Sequence, residues 1–190
     1  HDHDHHHHAE GDPHFWFDPT NVMVWAENIA HALGSADPEN HEIYEANAEA
    51  YIAELEALDR EIRSGVARIP EEHRKLVVDH AALGYFAEEY GFEVVGAVIP
   101  STTDQAEPSA QDIAQLVEQI REEDVQAIFV GGTASRGLRN LVETVADEVG
   151  RELPIGELLT GSLAPRGQTG DTYVEFARHN AEVITEALSR

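Results

Sequence analysis

The sequence contains no cysteine, so disulfides, thiolate metal sites and cysteine nucleophiles are all excluded. A transition metal held by this chain must be bound by histidine, carboxylate or water. Lysine is almost missing as well. Of 12 basic residues only Lys75 is lysine, against 37 acidic ones, and the formal net charge is -25. So few cations exclude the electrostatic footprint of a nucleic-acid binder. No apolar run approaches the ~20 residues that span a bilayer, and no signal-peptide pattern opens the chain. Residue 1 is accordingly not expected to be the natural start. The nucleophile and phosphate motifs of enzymes are absent too: there is no G-x-S-x-G, no P-loop, no H-E-x-x-H and no dinucleotide-binding glycine fingerprint. Nothing here reads as an enzyme.

What is present is an acidic chain with 42% apolar residues, enough for a globular core. The acidic residues fall on helical stretches between apolar positions and do not collect in a tail. A surface kept hydrated in a high-salt, halophilic setting accounts for that excess, because salt screens the mutual repulsion. An ordinary acidic protein is the alternative.

Residues 1–10 read HDHDHHHHAE, a metal-binding low-complexity tract containing His1, His3, His5, His6, His7 and His8. Asp2 and Asp4 interrupt it and it runs directly into ordered-looking sequence, so it reads as a natural His/Asp-rich loop and not as a purification tag. Asp18-Pro19 then starts a helix over 20–33, with Val22, Trp25, Ile29 and Leu33 on one face and Gly34 as its stop. Asp37-Pro38 starts a second, unbroken helix to about Arg68, of ~30 residues and ~45 Å at 1.5 Å per residue. That length suits a spine better than a core helix. After Pro70 strands and helices alternate: strands at 76–78, 93–99, 127–130 and 155–159, and helices at 83–90, 109–122, 136–149 and 172–188. This alternation predicts a parallel, helix-flanked sheet of the α/β class, whose ligands bind at the carboxyl ends of the strands.

Two histidines stand out. His14 lies between an acidic turn and a helix cap, beside Phe15 and Trp16; it is either a metal ligand shielded by aromatics or a packed capping residue. His80 follows the first predicted strand at its carboxyl end, and is either a ligand or a satisfied loop residue. Glu107 follows the second strand as a ligand, an acceptor behind a ligand, or a helix-start residue. His31, His41, His73 and His179 are assigned no role.

Several segments, taken in order, resemble the zinc/manganese solute-binding proteins of ABC importers, the cluster A-I family. These are the His-rich loop at 1–8, DPHFWFDP at 12–19, the long helix, DHAALGYFAEEYG at 79–91, EPSAQDIAQLVEQI at 107–120, AIFV at 127–130 and DTYVEFARHN at 171–180. The resemblance implies two α/β lobes joined by one rigid helix, with the metal in the cleft between them. Residues 1–10 would be the His-rich loop, 11–34 the end of the N-terminal lobe, 35–69 the linking helix and 70–190 the C-terminal lobe. Most of the N-terminal lobe, with its own ligating His, would lie upstream. His14 and His80 correspond to family ligands, and histidine at position 80 favours zinc, with manganese as the other candidate. Many relatives supply a ligating Asp where this chain has Gly161, which leaves the fourth ligand open. The implied role is extracytoplasmic capture of Zn2+, at the cell surface or in the periplasm, by a lipid-anchored or signal-exported monomer. That monomer would deliver the metal to an ABC transporter permease. A manganese-specific homologue, a zinc chaperone or adhesin, and a zinc hydrolase are the rival readings.

Overall fold

A computed structural model describes residues 11–101 and 108–189. The first ordered turn is a 3-10 turn at Phe15–Phe17, and Asp18 closes it while capping the next helix. The Asp18 carboxylate accepts from Thr20 N at 2.8 Å, and Pro19 follows it at the first helical position, where no N–H is needed. Helix α1 runs Pro19–Ala36, through Gly34 and not ending at it. Gly34 is where the His41 ring lies against α1, and a side chain there would collide with that ring. The glycine therefore marks a close approach between helices, which the sequence pattern presents as a stop.

A 3-10 turn, Pro38–Asn40, precedes α2, His41–Val66, so the long helix begins later than the Asp37-Pro38 signal implies. Asp37 organises the turn: its carboxylate accepts from Asn40 Nδ2 and Tyr44 Oη, and these bonds, led by Asn40, lower its pKa. At 26 residues α2 extends about 39 Å. Its burial is lopsided. Leu55, Leu58, Ile62 and Val66 are buried, whereas no residue of the first half is.

The rest is the expected α/β alternation: β1 Lys75–His80, α3 Gly84–Tyr90, β2 Glu93–Ile99, α4 Ala110–Glu122, β3 Ile128–Gly131, α5 Arg136–Glu148, β4 Ile155–Leu158 and α6 Tyr173–Leu188. All pairings are parallel, in the order β2-β1-β3-β4. Helix α3 ends on Gly91, whose φ of 72° is the left-handed conformation a helix C-terminus favours. Helix α4 opens with a complete capping box between Ser109 and Asp112. Thr172 caps α6, its hydroxyl accepting from Glu175 N. Alternation along β1 sends Leu76 and Val78 into one core and Val77 into the other. The first core is closed by α1, the second half of α2, α3 and α6, and the second by α4 and α5. No helix among the described residues is long and apolar enough to cross a membrane.

Beyond this body, α1 and the first half of α2 continue as a helical hairpin. The face read as apolar in the sequence is largely open to solvent there: Ile29 is 58% exposed and Leu33 44%, with Ile43 of α2 at 56%. Tyr44, Ala48 and Tyr51 complete a groove with Ile29 and Leu33.

The second half of α2 is also tied to α3. Tyr90, 5% exposed, donates through Oη to Asp59 at 3.0 Å, and Arg63 lies over its ring, 5.2 Å from the centroid, while pairing with Asp59 and Glu89. Burial, then the Asp59 charge, raises the Tyr90 pKa. Burial also raises that of Tyr173. The folded chain thus favours the protonated phenols. Their contribution is complete below the ordinary tyrosine range near ~10 and is lost as pH climbs through and beyond it. Urea unfolding should show stability falling above that pH, with a shallower fall in Tyr90→Phe. At neutral pH the same variant should cost about 1 kcal/mol for the lost hydrogen bond.

Candidate metal centre

The carboxyl ends of the parallel strands are where an α/β sheet leaves backbone groups and side chains open to a ligand. His80 ends β1, the strand between β2 and β3, and is registered with Ile99 of β2. The next residue continues the ladder, Ala81 N donating to Ser101 O at 2.8 Å. Asp79 precedes it, 4% exposed. One Asp79 oxygen accepts from His80 N at 2.8 Å and from the His80 ring at Nδ1, 2.9 Å; the other accepts from Gly131 N, at the end of β3, at 2.8 Å.

His14 arrives from the other end of the chain and is 8% exposed. Its local carboxylate does the same work at shorter range: Asp12 Oδ1 accepts from His14 N at 3.0 Å and from Nδ1 at 2.8 Å. The turn after it is fixed from several sides. Tyr173 Oη donates to Trp16 O at 2.8 Å, Phe17 packs on Phe176 with centroids 5.8 Å apart, and Asn21 donates to Phe15 O. Phe15 meets Tyr85 of α3 edge-on at 6.4 Å.

The outcome is that the two histidines singled out in the sequence stand side by side. Their ring centroids are 5.3 Å apart with planes at 66°, and Trp16 stands edge-on to His14 at 5.4 Å. A tetrahedral ion ligated by two imidazole nitrogens at ~2.0–2.1 Å would hold the ring centroids roughly 5 Å apart, so the spacing fits. In each ring Nδ1 faces a carboxylate, the arrangement that orients metal-binding histidines and raises their basicity as ligands. Among the described residues no group of three or more His, Asp or Glu gathers at metal-holding distance, so this half of the site offers two imidazoles. Glu107 and the tract with His1, His3, His5, His6, His7 and His8 lie outside the described residues. His31, His41, His73 and His179 are not part of the arrangement.

The segment after β4 closes the neighbourhood. Asn180 of α6, 3% exposed, uses its amide as a strand would, accepting from Leu159 N and donating to Leu159 O, both at 2.8 Å. That places Thr160 beside Gly131 and within 3.4 Å of Thr133 Oγ1. At Gly161 a Cβ would meet nothing nearer than the Thr133 side chain, at 3.4 Å. The sequence reading missed Asp12, Asp79, Asn180 and Tyr173 as parts of this site. A usable signal existed for the first two, since each histidine has an aspartate one or two residues before it.

Comparison with known proteins follows the same line. Residues 1–187 match the family described as zinc-uptake complex component A, periplasmic (ZnuA). The manganese-binding lipoprotein MntA of Halalkalibacterium halodurans is 35% identical over 179 residues, which is 94% of this chain and 58% of that protein. The iron ABC transporter substrate-binding lipoprotein MtsA of Streptococcus pyogenes serotype M1 is 34% identical over 180 residues, 94% of this chain and 56% of that one. Among solved structures, the periplasmic zinc-binding protein TroA of Treponema pallidum superposes with a TM-score of 0.86 at 30% identity, covering 96% of this chain and 65% of that one. The chain thus spans a little over half the length of the curated relatives it matches.

Gly131 tests how tightly this corner is built. A Cβ there would sit 2.6 Å from Thr160 Oγ1 and 3.3 Å from Asp79 Oδ2. Gly131→Ala should therefore cost about 1–3 kcal/mol in urea unfolding, as over-packing does, through displacement of the Asp79 carboxylate and the segment after β4.

Proposed function

We propose, starting from the fact that this chain belongs to the ZnuA family of periplasmic metal-binding components, that it captures zinc outside the cytoplasm and passes it to an ABC importer. One observation carries this reading: His14 and His80, remote in sequence, present imidazoles 5.3 Å apart, each with its Nδ1 on a carboxylate. With Nδ1 donating, Nε2 carries the lone pair that a metal accepts. Imidazole donors suit zinc, whereas carboxylate and carbonyl oxygen suit manganese. The position where the resembling family often has a ligating aspartate is Gly161, which adds no oxygen donor. Ligands beyond the two imidazoles would come from Glu107, from water, or from the additional length the relatives possess. The His/Asp-rich tract would act as an auxiliary collector of zinc.

Metal capture of this kind requires no chemistry on the substrate, which accords with the absence of any nucleophile constellation. In the mechanism, neutral imidazoles replace water around the ion, and the aromatic side chains of Phe15, Trp16 and Phe17 limit access to it. Loading should weaken as pH falls, because each imidazole must be deprotonated to bind. The permease of an ABC importer is the partner, and a lipid-anchored or exported monomer at the cell surface or in the periplasm is the setting. The open apolar face of the α1–α2 hairpin fits the domain reading, in which residues 11–34 belong to a second lobe that packs there and 35–69 link it to the lobe at 70–190.

Competition with a chelator of known affinity tests the site. The chain trimmed to begin at Glu10 should hold one zinc, and Trp16 fluorescence should change on loading. His14→Ala and His80→Ala should each weaken binding by at least the ~10–100-fold that loss of a mere outer partner costs a metal site. Unchanged affinity in both variants would exclude this pair as ligands. Gly161→Asp, whose Cβ would make only ordinary van der Waals contact with Thr133, should raise manganese affinity relative to zinc in the same titration.

A further inference from the structure

We propose that Asp79 is a positioning residue: it sets the Nδ1–H tautomer and the orientation of the His80 ring before any metal arrives, by fastening the ring to the sheet. The proposal rests on the metal-binding reading of His80 but is tested without it. Asp79 collects three N–H donors, two from His80 and one from Gly131, and lies 4% exposed at the point where β1 and β3 end side by side. A carboxylate has only acceptors to offer, so the ring nitrogen facing it must carry the proton, and the lone pair is directed to Nε2.

The Gly131 contact sets this apart from an ordinary neighbour-to-neighbour bond. Asp12 holds His14 from within the same turn, both of its bonds going to a residue two positions away. Asp79, in contrast, links its own neighbour to a backbone amide of another strand. It extends the β1–β3 ladder past the last paired residues, Val78 and Phe129, with a side chain in place of a peptide carbonyl. The His80 ring thereby takes its orientation from the sheet. The absence of a side chain at Gly131 is what lets the Asp79 carboxylate and Thr160 both approach that residue.

Asparagine cannot replace this group, although it has the same shape. With its oxygen toward His80, its NH2 opposes the Gly131 N–H. Turned over, its NH2 faces Nδ1 and selects the Nε2–H tautomer, which puts a proton on the nitrogen the metal needs. Asp79→Asn should therefore lose either the strand link or the binding tautomer.

The experiment uses the full chain with 15N-labelled histidine, and reads the His80 ring by two-bond 1H–15N NMR at mildly alkaline pH. Zinc alone is then added, with its uptake followed at the same ring so that the His-rich tract does not interfere. The metal-free wild type should show His80 as a single Nδ1–H tautomer. A mixture, or the Nε2–H form, overturns the proposal, and that measurement needs no variant to fold. Asp79→Asn should lose the pure Nδ1–H signature and bind zinc at His80 ~10–100-fold more weakly. If the variant keeps both the tautomer and the affinity, the proposal fails. A wild type with the fixed tautomer that takes up no zinc at His80 overturns the metal-binding reading while the positioning of the ring by Asp79 stands.

Discussion

The two imidazoles meet because the short turn that follows His14 is fastened to the helix that ends the chain. Tyr173 reaches from α6 to the carbonyl of Trp16, and Phe176, one turn further along, takes Phe17 against its ring. Without that seam the segment 11–18 would keep only α1 and the ring contacts of Phe15 with Tyr85 and of His14 with His80. The same α6 packs on the second half of α2, and through Asn180 it holds the segment after β4. One helix therefore positions three of the pieces that surround the site: the His14 turn, the spine and the Thr160–Gly161 segment. The fourth, His80, comes from the sheet itself.

Charge is distributed on two scales. Over the surface the acidic excess is relieved only locally, by pairs such as Arg139–Glu157, Arg151–Asp124 and Arg178–Glu61. Such exposed pairs contribute ~0–1 kcal/mol each and weaken as salt rises. At the site the arrangement is different. Asp12 and Asp79 are sheltered, each is satisfied by N–H donors, and each stands directly behind an imidazole. Each carboxylate bonds the Nδ1 side of its ring, so it adds negative charge behind the imidazole and leaves the Nε2 side to another partner.

The relatives bear names for manganese, iron and zinc on one shared architecture. Metal preference within such a family must then lie in the handful of donors at the cleft and not in the fold. In this chain the donors at hand are imidazoles, and the zinc reading above rests on them. The hairpin of α1 and α2 is apolar on a face that the α/β body leaves open.

Much of the fold was legible in the sequence because it is written in local terms. The strand at Glu93–Ile99, the helix end at Tyr90 and the helix start at Ser109 each depend on neighbours a few residues away, and each lies where the pattern places it. His14 and His80 were legible as candidates because a histidine beside aromatics and a histidine at a strand's end are both informative positions. Three features were not legible. Gly34 reads as a helix stop and serves instead as the seat of His41, since a close approach between two helices leaves no trace in the periodicity of either one. The exposure of Ile29 and Leu33 contradicts their apolar spacing, because spacing reports which face is apolar and never what covers it. The partners of the imidazoles depend on where strands end in space: Asp79 meets Gly131 only because β1 and β3 lie side by side. Sequence by itself determined the elements, the family likeness and the candidate ligands. Only the tertiary structure decided that the two rings converge and that each is held by a carboxylate, because hydrogen bonds between distant strands are set by packing and not by local propensity.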